Sequence, residues 1–161
     1  LESWCLLHAG RQRLSRLRFR PGGLSMRFSA RTAYAGSAIL ELASLYGTGP
    51  VKARDIADRQ GVPLKFLEQI LRQLRAAGLV ESSRGPEGGF SLARPPSQVS
   101  LRQVVEAVEG DLRLLDLDVG DPTLRTVWED LQKEFRSRLE RISLQDLVDM
   151  RRRQGAIHFD I

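Results

Sequence analysis

The stretch that decides the fold is residues 55–78, DIADRQGVPLKFLEQILRQLRAAG. A short amphipathic segment ends there at Gly61, one residue follows, and Pro63 opens a second amphipathic segment. Glycine ends helices because it tolerates a left-handed backbone, and proline suits the first helical position, where no N–H is needed. We therefore predict two helices joined by a tight turn at residues 61–63, which is the geometry of a helix-turn-helix.

The second of these helices, predicted over residues 63–77, has an apolar and a polar face. Its apolar side chains are predicted to enter the core: Leu67, Ile70, Leu71 and Leu74. Its polar side chains recur at i, i+3, i+4 and i+7: Lys65, Glu68, Gln69 and Arg72. Such side chains pair with base edges or phosphates in the major groove, although a polar helix face is often merely solvated. The place of this face directly after the turn favours DNA, with Arg72 on the backbone and the other three on bases.

A hairpin follows, with predicted strands over residues 79–82 and 90–92 and a glycine-rich connection between them. Arg84 lies at the predicted tip, where it could enter a narrow minor groove. We expect Gly85 and Gly88 to let the backbone approach the DNA backbone. A nucleotide-binding loop is excluded, because the connection lacks the Lys-Ser/Thr pair and joins two strands rather than a strand and a helix.

Helices are predicted on both sides of this unit. Residues 29–46 form the first, and Ser100 with Gln103 forms a capping box for a helix over residues 101–109. We predict a mainly α fold with a small β-hairpin wing, a winged helix-turn-helix domain carrying a long dimerisation helix. The predicted division is a disordered basic extension at 1–25, the DNA-binding domain at 26–98, and dimerisation or effector helices with a tail at 99–161.

The long helix is predicted from Asp121 to about Arg141. Its apolar side chains form a near-heptad seam: Leu124, Val127, Trp128, Leu131, Phe135, Leu139 and Ile142. A small winged domain cannot cover the whole seam, so we predict a homodimer; the alternative is that the helix packs back on its own domain. A final helix over residues 143–153 ends in three arginines, which could contact DNA but more simply complement the dipole of a helix C-terminus.

Charge is distributed unevenly along the chain. Residues 26–98 carry ten basic and six acidic side chains, whereas residues 99–161 carry ten basic and thirteen acidic ones. A basic first part leans towards a polyanionic partner, although the excess is modest. Residues 1–25 hold five arginines and one glutamate. For them, a translation start at Met26 is favoured over a functional basic arm.

Five stretches of the chain resemble the Rrf2 family of bacterial transcription regulators, and the match runs from Met26 to about Asp149. They are residues 55–61, DIADRQG; 66–71, FLEQIL; 74–80, LRAAGLV; 84–90, RGPEGGF; and 104–110, VVEAVEG. The resemblance implies a homodimer with antiparallel long helices that represses or activates transcription. It also implies base contacts at Lys65, Glu68 and Gln69 with a wing contact at Arg84, and it places Ser29, Arg31 and Tyr34 near the DNA backbone.

Many members of that family hold an iron–sulfur cluster through three cysteines and often a histidine, in the loop before the long helix. Residues 111–122 contain neither residue type here. Their oxygen donors Asp116, Asp118 and Asp121 suit a thiolate-seeking cluster poorly. We therefore predict a member with no iron–sulfur cluster and no other cofactor. The acidic loop is either solvated or binds a small-molecule or protein effector, and these hypotheses stay open.

The sequence as a whole favours a sequence-specific regulator that binds a palindromic operator in double-stranded DNA as a homodimer. The alternative is a protein-interaction module on the same fold that regulates a partner such as a metabolic enzyme. An enzyme is disfavoured, because His8 and His158 lie in terminal segments and no nucleophile–base pair is visible. One cysteine, Cys5, and no apolar run near the roughly 20 residues of a membrane span favour the bacterial cytoplasm without membrane contact.

Overall fold

The structure is a computed structural model that describes residues 29–112 and 121–157, with side chains as far as Gln154. The predicted basic extension, Asp116 and Asp118 lie outside the described residues. The helices are α1 (Ala30–Ser44), α2 (Ala53–Gln60), α3 (Leu64–Ala76), α4 (Leu101–Glu109), α5 (Pro122–Glu140) and α6 (Leu144–Ile157), and the strands are β1 (Val80–Ser83) and β2 (Gly89–Leu92). A single 3-10 turn at Pro96–Gln98 leads from β2 towards α4.

Helix starts follow the local capping signals in the sequence. The Ser100 hydroxyl accepts from the Gln103 N–H at 3.4 Å, and the Gln103 side chain accepts from the Ser100 N–H at 3.1 Å, so the predicted capping box is confirmed. The Asp121 carboxylate accepts from the Thr123 N–H at 2.8 Å at the start of α5. That hydrogen bond holds the pKa of Asp121 below its usual range, because it stabilises the charged form.

The turn between α2 and α3 depends on Gly61, whose φ of 63° and ψ of 35° are left-handed. The Val62 N–H then donates back to the Ala57 carbonyl at 3.1 Å, which closes α2. Pro63 differs from its prediction, since it precedes the first helical residue rather than being that residue. Its backbone is extended, and its carbonyl accepts hydrogen bonds from N–H groups in the first turn of α3. Proline can fill this position because it lacks only its own N–H and keeps its carbonyl.

The hairpin pairs Val80 with Leu92 and Ser83 with Gly89 in antiparallel register. A third segment, which was not predicted from the sequence, pairs with the hairpin. The N–H and carbonyl of Val51 exchange two hydrogen bonds of 2.8 Å with Phe90, so the segment between α1 and α2 adds a short rung beside β2. The wing is thereby attached to the linker that leads into α2.

One hydrophobic core joins α1, α2 and α3 to α4 and α6. Its largest fully buried side chains include Ile39, Leu42, Ile56, Leu67, Ile70, Leu71, Leu74, Val104 and Leu144. Although α4 and α6 lie beyond the predicted boundary at residue 98, they share this core with α1, α2 and α3, and the predicted division stays a prediction. α4 and α6 are fastened together at their starts, where the Leu101 N–H donates to the Ile142 carbonyl at 2.7 Å and the Leu144 N–H donates to the Val99 carbonyl at 2.9 Å.

The last helix is longer than predicted, because α6 continues to Ile157. Arg151 and its two neighbours consequently lie outside the last turn, which contains no basic residue. The sequence-based interpretation of these arginines as a favourable C-terminal charge is therefore wrong, since the dipole effect falls off within one turn.

The predicted seam of α5 divides into two parts. Its C-terminal part packs within the chain: Leu139 is buried with Val105 and Leu112 of the α4 side, and Phe135 packs against them. Leu139 and Phe135, which the sequence assigned to the dimer seam, thus pack against the α4 side of their own chain, and their part in a dimer contact stays a prediction. The N-terminal part is exposed, with the following fractions: Leu124 56%, Val127 49%, Trp128 41% and Leu131 43%.

The order helix, helix, turn, helix and hairpin, with its strands paired as described, is a winged helix-turn-helix followed by further helices. Within the described ranges, no helix is both long enough and apolar enough to cross a bilayer.

Gly89 tests how the wing is attached. A Cβ at Gly89 would lie 2.5 Å from the Val51 carbonyl oxygen, so Gly89→Ala must push the two segments apart. We expect the free energy of unfolding to fall by about 1–3 kcal/mol in urea denaturation, the usual cost of overpacking. Gly36→Ala is the control: a Cβ there meets nothing within 4 Å and the residue is helical, so stability should rise by about 0.5–1 kcal/mol. Equal effects at both positions would contradict this account of the wing.

Candidate nucleic-acid interface

The exposed face of α3 is the first part of the candidate interface. Leu67, Ile70, Leu71 and Leu74 are fully buried, which fixes the rotation of the helix about its axis. The opposite side chains are exposed: Lys65, Glu68, Gln69 and Arg72. Within the described part of the chain, none of these four side chains makes a hydrogen bond or an ion pair. The polar face that the sequence predicts is thus available to a partner over two turns of helix.

Tyr34 supports α3 from α1. Its ring meets the Phe66 ring edge to face, with centroids 5.7 Å apart and planes at 88°. Both side chains are partly buried against the core, and Phe66 lies in the first turn of α3. Edge-to-face pairs contribute about 0.5–1.5 kcal/mol beyond their buried area. Tyr34, predicted to lie at the DNA backbone, is therefore also a residue that positions the start of α3.

The start of α1 is held by Glu109, the last residue of α4. The Glu109 carboxylate accepts from the Ser29 N–H at 2.9 Å, from the Ser29 hydroxyl at 2.6 Å and from the Thr32 hydroxyl. The hydrogen bonds from the Ser29 and Thr32 hydroxyls, with that from the Ser29 N–H, stabilise the charged carboxylate and hold the pKa of Glu109 below its usual range. Ser29 was predicted to lie at the DNA backbone, but its two donors are already engaged within the chain. Arg31 is exposed beside them.

The wing carries Arg84 at its exposed tip, next to Gly85, whose φ of 108° turns the chain. The sequence assigned Gly88 to a close approach by DNA, but the structure gives an internal reason. A Cβ at Gly88 would lie 2.5 Å from the Ser83 carbonyl oxygen, so the hairpin itself requires glycine there. The Arg75 guanidinium donates to the Ser82 hydroxyl at 2.9 Å and ties the end of α3 to β1.

Two contacts that orient this interface carry no local signal in the sequence. The Arg59 guanidinium meets the Glu41 carboxylate at 2.5 Å and joins α2 to α1, and the Glu109 contact with Ser29 spans 80 positions. Each partner is an ordinary charged or polar residue of an amphipathic helix. Glu41 alone could have indicated its contact from the sequence, because it falls on the apolar face of α1, where a buried acid requires a partner.

This arrangement matches known proteins. The Rrf2 family model, described as "Iron-dependent Transcriptional regulator", matches residues 28–150. A protein of Mycobacterium tuberculosis named as an HTH-type transcriptional regulator is 41% identical over 131 residues, covering 76% of this chain and 81% of its own. The chain belongs to the Rrf2 family. It is a DNA-binding transcriptional regulator with a winged helix-turn-helix.

Solved structures of Rrf2-type regulators agree with the fold. CymR, the global cysteine regulator of B. subtilis, superposes with a TM-score of 0.72 at 28% identity, over 78% of this chain and 98% of that one. IscR of T. potens superposes with a TM-score of 0.66 at 34% identity, over 80% of this chain and 90% of that one. The predicted fold class and the resemblance to the family are both confirmed.

The family description names iron, but the donor atoms of this Rrf2 regulator do not fit an iron–sulfur cluster. Its single cysteine, Cys5, cannot supply the several thiolates that a cluster needs. The carboxylate of Asp121, one of the three aspartates considered as donors, caps α5. Over residues 29–112 and 121–157 no group of three acidic, histidine or cysteine side chains could hold a metal ion. The absence of a cofactor stays a prediction.

The link between Glu109 and α1 gives a pH-dependent prediction. The folded-state pKa of Glu109 lies below the unfolded value near 4.5, so its stabilising effect is present above that pH and disappears as the pH falls through the folded value. Glu109→Gln should lower the free energy of unfolding at neutral pH by about 1 kcal/mol or less, since the site is largely solvated. Chemical denaturation from pH 7 to pH 3 should show this difference shrinking.

The matched control is Glu87→Gln, which removes an exposed carboxylate of the wing. It should change stability little at any pH. A Glu109→Gln difference that stays constant down to pH 3, or that equals the control, would show that the carboxylate does not anchor α1.

Proposed function

We propose that this regulator binds operator DNA sequence-specifically, with the exposed face of α3 in the major groove and the wing beside it. The observation that carries the proposal is that four polar side chains of α3 face outwards without a partner in the described structure, directly after the turn at Gly61. Lys65, Glu68 and Gln69 are assigned to base edges, because lysine, glutamate and glutamine match guanine, cytosine and adenine respectively. The proposed activity is binding alone and calls for no catalytic residue.

The proposed contacts with the DNA backbone come from several elements. Arg72 lies one turn beyond Glu68 on α3, and Arg31 lies at the start of α1. Arg84, which is exposed on the wing, is proposed to read bases from the minor groove. Gly85 and Gly88 are proposed to let the wing approach the DNA backbone, and the hairpin itself also requires glycine at position 88. Ser29 contributes by positioning α1 through Glu109. Among the side chains proposed to contact DNA, Glu68 is the single acidic one, so phosphate attraction to the arginines supplies affinity and the base-reading side chains supply choice of sequence.

Homodimerisation is the second part of the proposal. Leu124, Val127, Trp128 and Leu131 recur at i, i+3, i+4 and i+7 and form one exposed apolar face of α5. A contiguous exposed patch of this kind marks an interface. A twofold dimer, as in the family resemblance, would bury it against the same face of the partner and present two copies of α3 to a palindrome with half-sites about 34–36 Å apart.

The base contacts are tested with purified full chain and a duplex selected from random sequence. Lys65→Ala should weaken binding to that duplex by about 5–150-fold, the effect of losing a contact of 1–3 kcal/mol, and should weaken random duplex much less. Glu68→Gln should relax the choice at one base pair. Fluorescence anisotropy at fixed salt measures both.

Lys133→Ala is the matched control, since it removes the same charge from an exposed site on α5. If Lys65→Ala and Lys133→Ala weaken all duplexes alike, Lys65 contributes charge and not base recognition. Failure to select any sequence, together with co-purification of a protein partner, would instead favour the interaction-module hypothesis.

The dimer is tested by Trp128→Glu, which places a charge at the centre of the proposed contact. Leaving an uncompensated charge buried costs about 3–5 kcal/mol, so the dimer dissociation constant should rise more than about 100-fold. Sedimentation equilibrium measures this change, and operator affinity should fall with it. Met150→Glu is the control, because Met150 is 47% exposed on a different helix, α6. A dimer that survives Trp128→Glu unchanged would place the interface elsewhere.

A further inference from the structure

A polar cleft lies between α1, the end of α2 and α6. Its volume is about 610 Å³, and the polar and charged residues that line it include Glu41, Ser44, Arg59, Gln60, Arg151 and Arg152. That volume is in the range of small-molecule sites. No residue of the proposed DNA contacts lines it, so the cleft is a separate feature of the molecule.

One of the residues that line the cleft, Gln60, has polar atoms without a partner among the described residues. Both the amide oxygen and the amide nitrogen of Gln60 are shielded from solvent, and neither has a hydrogen-bond partner among the described residues. The Glu41 side chain is only 10% exposed and meets Arg59 through one guanidinium nitrogen. Buried polar groups are almost always paired, so an amide with both ends unpaired requires an explanation. A ligand that brings its own donor and acceptor supplies one.

The charge of the cleft indicates the sign of that ligand. Arg59, Arg151 and Arg152 supply three guanidinium groups against the single carboxylate of Glu41. Arg151 and Arg152 are exposed, and α6 extends beyond them to Ile157, so the helix dipole does not account for them. Guanidinium groups bind carboxylate and phosphate through paired hydrogen bonds.

We propose that this cleft binds a small organic anion, whose carboxylate or phosphate group meets Arg151 and Arg152. On binding, the Gln60 side chain turns towards the cleft, and its amide pairs with a second polar group of the ligand. Gln60 immediately precedes Gly61, so the ligand lies against the helix that leads into the turn before α3. Binding itself does not depend on the proposed DNA contacts, and its failure would leave the proposed function standing.

The test uses the ¹⁵N-labelled full chain, titrated with succinate and, separately, with glycerol 3-phosphate at constant ionic strength. The side-chain amide signals of Gln60, assigned from their loss in Gln60→Leu, should shift and saturate with one or both probes. Saturation with succinate alone identifies a carboxylate site, and with glycerol 3-phosphate alone a phosphate site. If neither probe gives a saturable shift, the proposal is wrong.

Two variants separate a site from general charge attraction. Arg152→Ala should weaken probe binding about tenfold or more, as expected for a charge-assisted hydrogen bond, whereas Arg153→Ala, an exposed neighbour outside the lining, should not. Equal loss in both variants overturns the proposal.

Gln60→Leu tests the part assigned to the amide. It should raise the melting temperature, because it removes the unpaired amide, and the variant should bind the probe no more tightly than it binds chloride. A lower melting temperature with unchanged probe binding also overturns the proposal.

Discussion

The direction of α3 depends on the left-handed backbone of Gly61. At a φ of 63° a residue with a side chain is strained, whereas glycine lets α2 end there and leaves only three residues before α3 begins at Leu64. Val62 is then buried in the core, and the Pro63 carbonyl accepts hydrogen bonds from the first turn of α3. Once the apolar stripe of α3 is fixed in the core, its polar face has only one orientation. The base contacts proposed for α3 follow from that orientation.

The parts of the fold that could be predicted from sequence are those set by neighbours along the chain. Caps, helix periodicity and turn residues act within a few positions, which is why α3, the capping box at Ser100 and the hairpin were all correctly predicted. The rung between Val51 and Phe90 and the fastening of Ser100 to Ser143 are contacts between distant segments. The split of the α5 seam likewise depends on what α4 presents to Leu139. No periodicity within one segment reveals such pairings.

The candidate site divides in the same way. The exposed face of α3 could be predicted, because a buried stripe determines its opposite. The role of Glu109 could not be predicted, because a glutamate at the end of an amphipathic helix is common and its partner Ser29 is remote in sequence. The sequence explained the glycines of the wing only by an approach to DNA. The structure adds internal reasons, because Gly88 is required by the hairpin and Gly89 by its contact with Val51. Arg84 lies at the exposed tip of the hairpin, where the turn residues predicted it, and its contact with DNA stays a prediction.

The shared core has a consequence for synthesis of the protein. Leu144 and Val148 of α6 are buried among the residues that hold α3 in place. During translation the helix-turn-helix emerges from the ribosome well before these two residues do. A nascent chain that ends between α3 and α6 therefore exposes part of the surface that they cover, and it is open to chaperones and proteases. Ribosome-bound intermediates should accordingly acquire a native DNA-binding surface late, in a single step with the docking of α6.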